Sequence, residues 1–258
     1  MNGVLIIDKP TGLTSHDVVN RVRRILKQRA VGHLGTLDPL ATGVLPLVLG
    51  NMTRLAQFYL ASEKSYEGVI RFGFATDTYD AKGEPVGEPQ QPSLTLEQVR
   101  ELAGNFLGKI KQIPPPYSAK KIQGVPAYKL ARKQKEVVLR PVQVEIKKFE
   151  ILRLEDTGAH FVARVASGTY MRSVAHEMGA RAGCGAHLES LRRTAVAEFE
   201  LEDAHTLEEL AQAAQSGEVE NMLVHPRKLL PSLPSVTATD EIASKIRHLS
   251  RFLASPTE

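Results

Sequence analysis

Apolar and polar positions along this chain repeat with two periods, one suited to strands and one to helices. Gly3 to Asp8 is an apolar run of strand length that stops at Lys9-Pro10. Thr14 or Ser15 can cap a helix reaching about Gln28. Val18, Val19, Val22, Ile25 and Leu26 form its apolar stripe, and its arginines largely occupy the other face. Val44 to Leu49 is a second apolar run, bounded by Gly50-Asn51, and residues 52 to 61 read as a short helix. From Ser65 to Phe74 the pattern alternates, with Tyr66, Gly68, Ile70, Phe72 and Phe74 on one face and Ser65, Glu67 and Arg71 on the other. Tyr66 therefore points toward apolar surroundings.

Asp77 to Pro92 is turn-rich. Thr95-Leu96-Glu97-Gln98 is a capping box opening a helix that ends near Gly104 or Gly108. Strands are predicted at about 142–154, 160–167 and 194–201, with a helix from about Tyr170 to Ala182 between the last two. Thr206-Leu207-Glu208-Glu209 opens an acidic surface helix. A final helix from about Asp240 to Ala254 carries Ile242, Ile246, Leu249 and Leu253 as its stripe. No internal repeat and no regular βαβ rhythm is visible. The class is α+β, a mixed β-sheet with flanking helices.

Composition bounds this picture. With 258 residues, 42% of them hydrophobic, the chain can bury one large core or two. No stretch approaches the roughly 18 apolar residues of a membrane span, and the N-terminus lacks a basic n-region and cleavage site. A single cysteine excludes an internal disulfide framework and suits a reducing cytoplasm. Cys184, set between glycines with only His187 nearby, reads as a small buried thiol and not a metal ligand.

The net charge of +4 is unevenly spread. Lys109 to Lys148 holds eleven lysines and arginines against Glu136 and Glu145, so the rest of the chain is net acidic. A second cluster comprises Arg21, Arg23, Arg24, Lys27 and Arg29. Such concentration, interleaved with Tyr117, Tyr128 and prolines, is the expected footprint of a nucleic-acid partner, with a solvated basic face as the alternative. Pro114 to Arg140 holds too much Pro, Gly and Lys for a core element. It reads as an extended basic insertion with a short helix around Ala127–Lys133, and Lys120, Lys121, Lys129 and Arg132 are its candidate RNA contacts.

The chemistry centres on His33-Leu34-Gly35-Thr36-Leu37-Asp38-Pro39-Leu40-Ala41-Thr42-Gly43-Val44-Leu45. Pro39 fixes its own φ and biases Asp38 toward an extended backbone, while Gly35 and Gly43 allow geometries that a Cβ would block. Asp38 thus sits on a stiff loop feeding a buried strand, a suitable mount for a catalytic carboxylate; an ordinary Asp-Pro turn is the alternative. His176-Glu177-Met178-Gly179-Ala180 begins like a zinc-protease motif, but Ala180 replaces the second histidine, so no metal site is expected. No phosphate loop or dinucleotide fingerprint is present, and no cofactor is expected.

H-x-G-T-L-D-P-x-A-x-G-V-L resembles the catalytic motif of the TruB family of tRNA pseudouridine synthases, whose wider relatives include dyskerin. The resemblance continues in order through Asp8-Lys9-Pro10-Thr11-Gly12-Leu13-Thr14-Ser15, through Tyr66 with Phe72-Gly73 and Thr76-Asp77-Thr78-x-Asp80, through Pro114-Pro115-Pro116-Tyr117-Ser118-Ala119-x-Lys121, through Ser167-Gly168-Thr169-Tyr170-x-Arg172, and through Gly183-Cys184-Gly185-Ala186-His187-Leu188-x-x-Leu191-Arg192-Arg193. It implies the pseudouridine synthase fold, with a catalytic domain over 1–232 and a basic RNA-gripping thumb at about 110–142. The tail, 233–258, is too short for the complete C-terminal PUA-type domain of many bacterial relatives; the member is either truncated or naturally short.

The implied activity is isomerisation of the uridine at position 55 in the tRNA T-loop. No redox change or energy source is needed. Asp38 would either attack C1′ or take a proton from C2′. Arg172 matches the residue that pairs with the catalytic aspartate, Tyr66 the one that stacks on the flipped base and can assist at C5, and Tyr170 and Leu191 line the pocket. His33 matches a residue that helps hold the nucleotide out of the RNA. Lys9, Asp77 and Asp80 match family positions without an assigned role. The expected partner is the T-arm of tRNA, with no membrane and no obligate protein partner, for a cytoplasmic monomer. A guide-RNA-dependent relative of the dyskerin type, or an inactive RNA-binding protein, are the other readings; an intact Asp38, Tyr66 and Arg172 disfavour the second.

Overall fold

The structure, a computed structural model, describes residues 1–118, 120–122, 125–127, 139–234 and 238–253, the backbone alone at 121, 122, 125, 126 and 247–253. Its centre is a nine-stranded sheet. β1 (Gly3–Lys9) pairs antiparallel with β3 (Thr42–Leu49) in an unbroken register from Gly3↔Leu49 to Lys9↔Gly43. Both strands are buried almost throughout, which explains why their sequences are continuous apolar runs and not alternating ones. β2 (Val31–His33) lies on β3 opposite Leu47 to Leu49.

The other half of the sheet is antiparallel: β4 (Lys64–Phe72), then β11 (Gly158–Val165), β10 (Val142–Glu155) and β7 (Gly108–Gln112). β12 (Ala186–Val196) joins the halves. It pairs with β4 along its length but runs parallel to β3 only at Arg192↔Thr42 and Arg193↔Gly43. The halves therefore meet through two residue pairs, directly after the loop that carries Asp38. Gly43 makes that meeting possible: its φ is +99°, and a Cβ there would overlap the Arg193 carbonyl and lie 2.9 Å from its amide nitrogen. Three short hairpin pieces complete the strands: β5 (Ala75–Thr76) with β6 (Pro85–Val86), β8 (Lys121–Ile122) with β9 (Val125–Pro126), and β13 (Phe199–Glu200) on the end of β12.

Helix starts follow the capping chemistry. Thr14 Oγ1 accepts from Asp17 N, and Asp17 Oδ2 accepts from Thr14 N, opening α1 (Ser15–Ile25). The helix ends short of the expected Gln28 because the chain turns into the left-handed region at Lys27. The same reciprocal pair at Thr95 and Gln98 opens α2 (Leu96–Gly104). α3 (Met171–Ala182) packs on β12 and is closed by Gly183 at φ 75°. Thr206 and Glu209 open α4 (Leu207–Ser216), whose Leu207 and Leu210 are buried toward α1 and β1. α5 (Asp240–Leu253) leaves Ile242 and Ile246 exposed. No described helix is long and apolar enough to cross a membrane.

Three strands differ in their bounds from the sequence reading; β11 lies two residues earlier than the expected 160–167. The strand expected at 194–201 begins at Ala186 and stops at Val196, where Ala197 turns at φ 50° and the chain folds back as β13. The strand expected to reach Phe74 stops at Phe72, because Gly73 turns at φ 116°; Phe74 packs instead against His187, ring centroids 4.5 Å apart. In the basic insertion, Lys120 is exposed, whereas Lys129, Arg132 and nearly all of the helix expected around 127–133 lie outside the described residues.

Candidate active site

The loop between β2 and β3 is fixed at several points. Leu34 and Leu37 are buried, Leu34 N donates to Pro46 O at 2.9 Å, and Ala41 N donates to Asp38 O at 3.1 Å. Ser15, the first residue of α1, accepts from Leu37 N at 2.8 Å and donates back to Leu37 O at 3.2 Å. Gly12 N donates to Pro39 O at 2.8 Å, so the N-terminal Lys-Pro-Thr-Gly segment braces the loop as well. Asp38 is left with little backbone freedom and a side chain one-third exposed, 33%.

Arg172, the second residue of α3, meets it with a two-pronged fork: Nε to Oδ2 at 2.8 Å and Nη2 to Oδ1 at 2.9 Å. The rest of the guanidinium is occupied by Thr78 O at 3.1 Å and Tyr117 O at 2.9 Å, and Asp80 Oδ2 lies 3.7 Å from Nη1. Arg172 is only 4% exposed, so it is a buried cation, with Asp38 as its hydrogen-bonded counter-charge and Asp80 as a second one nearby. Asp80 is held by Thr78 Oγ1 at 2.7 Å and Lys82 N at 3.0 Å, whereas Asp77 accepts from Glu84 N and ties a turn.

Beside the pair lies a cleft of about 320 Å³ lined by His33, Asp38, Tyr66, Tyr170 and Leu191 among others. The sequence candidates therefore converge although they come from five separate elements. Tyr66, in β4, is buried, and burial above all raises its phenol; Asp38 adds to the rise and Arg193 opposes it. Tyr170 is the residue before α3. Gln112 holds its backbone, with Tyr170 N donating to Oε1 at 2.8 Å and Gln112 Nε2 donating to Tyr170 O at 3.1 Å. Its phenol is also raised, chiefly by burial. His33 is lowered by burial and then by Arg193, so it is a neutral imidazole at pH 7; its Nδ1 is buried without a partner among the described residues.

Three basic residues near the site had no assigned role in the sequence reading. Lys9 is fully buried with Nζ donating to Pro10 O at 2.9 Å and Leu13 O at 2.7 Å. Burial pulls it down to about 8; the nearby Asp38 resists and Arg193 adds to the fall. Lys64 lines the cleft and is likewise lowered to about 8, by burial and Arg193. Arg193 is fully buried. The signal for it was present: in a strand, Arg193 shares a face with Leu191.

This geometry has counterparts among known proteins. Residues 23–171 match the family model described as TruB family pseudouridylate synthase (N terminal domain), and residues 172–231 match tRNA pseudouridylate synthase B C-terminal domain. The boundary falls between Tyr170 and Arg172, so the Asp38–Arg172 pair is built from both. A tRNA pseudouridine synthase B of Solibacter usitatus is 52% identical over 256 residues, covering 99% of this chain and 87% of that protein. One from Aquifex aeolicus is 41% identical over 255 residues, covering 98% and 88%. Among solved structures, a chain of a Cbf5-Nop10-Gar1 complex superposes with a TM-score of 0.73 at 29% identity, covering 95% of this chain and 67% of that one. Two family models that together run from residue 23 to residue 231, on a sheet that brings their residues into one cleft, leave one assignment: this chain belongs to the TruB family of pseudouridine synthases.

Proposed function

We propose that the protein isomerises uridine to pseudouridine in tRNA, and that its target is the uridine at position 55 of the T-loop. The observation that carries this reading is the Asp38–Arg172 fork, opening onto a cleft walled by tyrosines and leucines. A uracil cannot react while stacked, so it must be turned out of the RNA into such a cleft. Tyr66 and Leu191 offer it a flat and an apolar surface, Tyr170 forms a further wall, and the neutral His33 at the rim can hold the displaced nucleotide. Asp38 then breaks the N1–C1′ bond, either by attacking C1′ to form an ester or by removing the C2′ proton to leave a glycal. The uracil rotates, C5 bonds to C1′ as the ester breaks or as the proton returns to C2′, and the proton lost from C5 is balanced by one gained at N1. Arg172 keeps the carboxylate aimed in both routes, because two parallel hydrogen bonds fix its plane.

The substrate is a folded loop, which suits recognition by shape, stacking and phosphate contacts. Lys120, Lys121, Lys129 and Arg132 of the basic insertion supply phosphate contacts. On this reading the enzyme is cytoplasmic and acts as a monomer on free tRNA without a guide RNA. The test is incubation with one unmodified tRNA transcript and no other RNA, followed by mapping of pseudouridine. Conversion of the single T-loop uridine is expected. Conversion only when a guide RNA is added, or at other positions only, would overturn the assignment of substrate.

A further inference from the structure

We propose that Arg193 is a positioning residue for Tyr66: a buried, fixed positive charge held against the phenol so that the hydroxyl presents one orientation to the base. The proposal rests on the reading of Tyr66 as a base-facing residue. The pleat of β12 sends neighbouring arginines to opposite sides. Arg192 leaves the cleft and pairs with Asp8 at 2.7 Å, while Arg193 turns inward on the face of Leu191.

Three backbone carbonyls hold it in place. Nε donates to Val44 O at 2.8 Å, Nη2 to Gly35 O at 3.1 Å and Nη1 to Thr36 O at 3.4 Å, so the guanidinium bridges both arms of the Asp38 loop. Lysine could not do this in the same way, since its three donors all leave one nitrogen whereas these carbonyls are met by three separate guanidinium nitrogens. These acceptors are neutral. Among the described residues no carboxylate lies within 4.0 Å of the Arg193 guanidinium, whereas Arg172 has Asp38. A fully buried cation without a carboxylate is costly, and three neutral carbonyls offset only part of that cost.

The ionisable group it does face is Tyr66, directly opposite in the β4–β12 register. Phenol and guanidinium are close enough for each to shift the other's protonation, Arg193 opposing the rise of Tyr66 and Tyr66 opposing the fall of Arg193. Arg193 also depresses Lys9, Lys64 and His33, which makes it a common positive centre for the cleft. Cross-strand partners on one face of a sheet lie side by side, so a fixed cation at Arg193 biases the orientation of the Tyr66 hydroxyl and stabilises negative charge developing on its oxygen.

The test compares wild type, Arg193→Lys, Tyr66→Phe and the double variant by single-turnover pseudouridine formation and by tRNA binding. If Arg193 acts through the hydroxyl, Arg193→Lys loses on the order of 10–100-fold in rate with tyrosine present and at least about tenfold less in the Tyr66→Phe background, with binding unchanged. An equal loss in both backgrounds would mean that Arg193 only braces the loop, and would overturn the proposal. A measurement that leaves Arg193 untouched covers the case in which Arg193→Lys does not fold. Tyr66→Phe removes the polar oxygen beside the buried guanidinium and should lower Tm by roughly 2–6 °C; an unchanged Tm would also overturn it. Wild type inactive on tRNA would refute the proposed function instead, while the thermal comparison would still decide the Arg193–Tyr66 interaction.

Discussion

Asp38 and Arg172 each remove the other's penalty for leaving water. Arg172 needs a counter-charge in its buried position, and Asp38 supplies one while keeping a third of its side chain open to the cleft. Arg172→Lys keeps the charge but loses the fork and cannot reach Asp38, Thr78 O and Tyr117 O together. Charge-assisted bonds are worth about 1.5–3 kcal/mol, so the single-turnover rate should fall roughly 10–100-fold with tRNA binding little changed. Full activity in Arg172→Lys would show that the plane of the carboxylate does not matter. Lys9 makes a different prediction, in pH. It titrates near 8 in the fold against an ordinary value of 10.5, so between those values the unfolded chain holds a proton that the native state lacks. Wild-type stability should therefore rise across this window relative to Lys9→Met, by at most about 1.4 kcal/mol per pH unit. Urea unfolding at a series of pH values from about 7 to 10 checks it, and parallel curves for the two proteins would contradict it.

The elements around the site differ in how openly the sequence displayed them. β1 and β3 were visible as unbroken apolar runs, α1 by a capping residue and an apolar stripe, and α2 and α4 as capping boxes, because these signals are local. β12 was half hidden: the strand read from the sequence began only at about 194, and Arg192 and Arg193 were given no face, although a strand separates adjacent residues onto two faces. The Asp38–Arg172 pair spans 134 residues, and no periodicity reports a pairing of that range; it came from family resemblance. The close approach at Gly43 was legible only as a glycine in a stiff loop. Its full reason is the Arg193 backbone against it. Gly43→Ala should therefore cost about 2–4 kcal/mol, combining a positive φ with a backbone overlap. Gly217→Ala, also at positive φ but with nothing within 4 Å, should cost only about 1–2 kcal/mol. Equal losses by urea unfolding would show that the junction tolerates a side chain.

At the scale of the whole molecule, two half-sheets meet through Arg192↔Thr42 and Arg193↔Gly43, and the candidate site residues cluster near that meeting. Positive charge is concentrated between Lys109 and Lys148, in a chain that is otherwise net acidic. Neutralising Lys120, Lys121, Lys129 and Arg132 together should weaken tRNA binding and reduce the log–log salt slope by about 0.7–0.9 for each phosphate that the protein no longer neutralises. A weaker affinity with an unchanged slope would mean that these residues are structural and not an electrostatic grip.

The most direct measurement is a paired one on a single tRNA transcript: pseudouridine yield and binding for wild type and for Asp38→Asn. The amide preserves the shape of the side chain but has no negative charge with which to attack C1′ or take the C2′ proton. Wild type should convert one T-loop uridine, and Asp38→Asn should bind the same tRNA within a few-fold and convert none. Turnover by Asp38→Asn within a few-fold of wild type would place the chemistry on another residue.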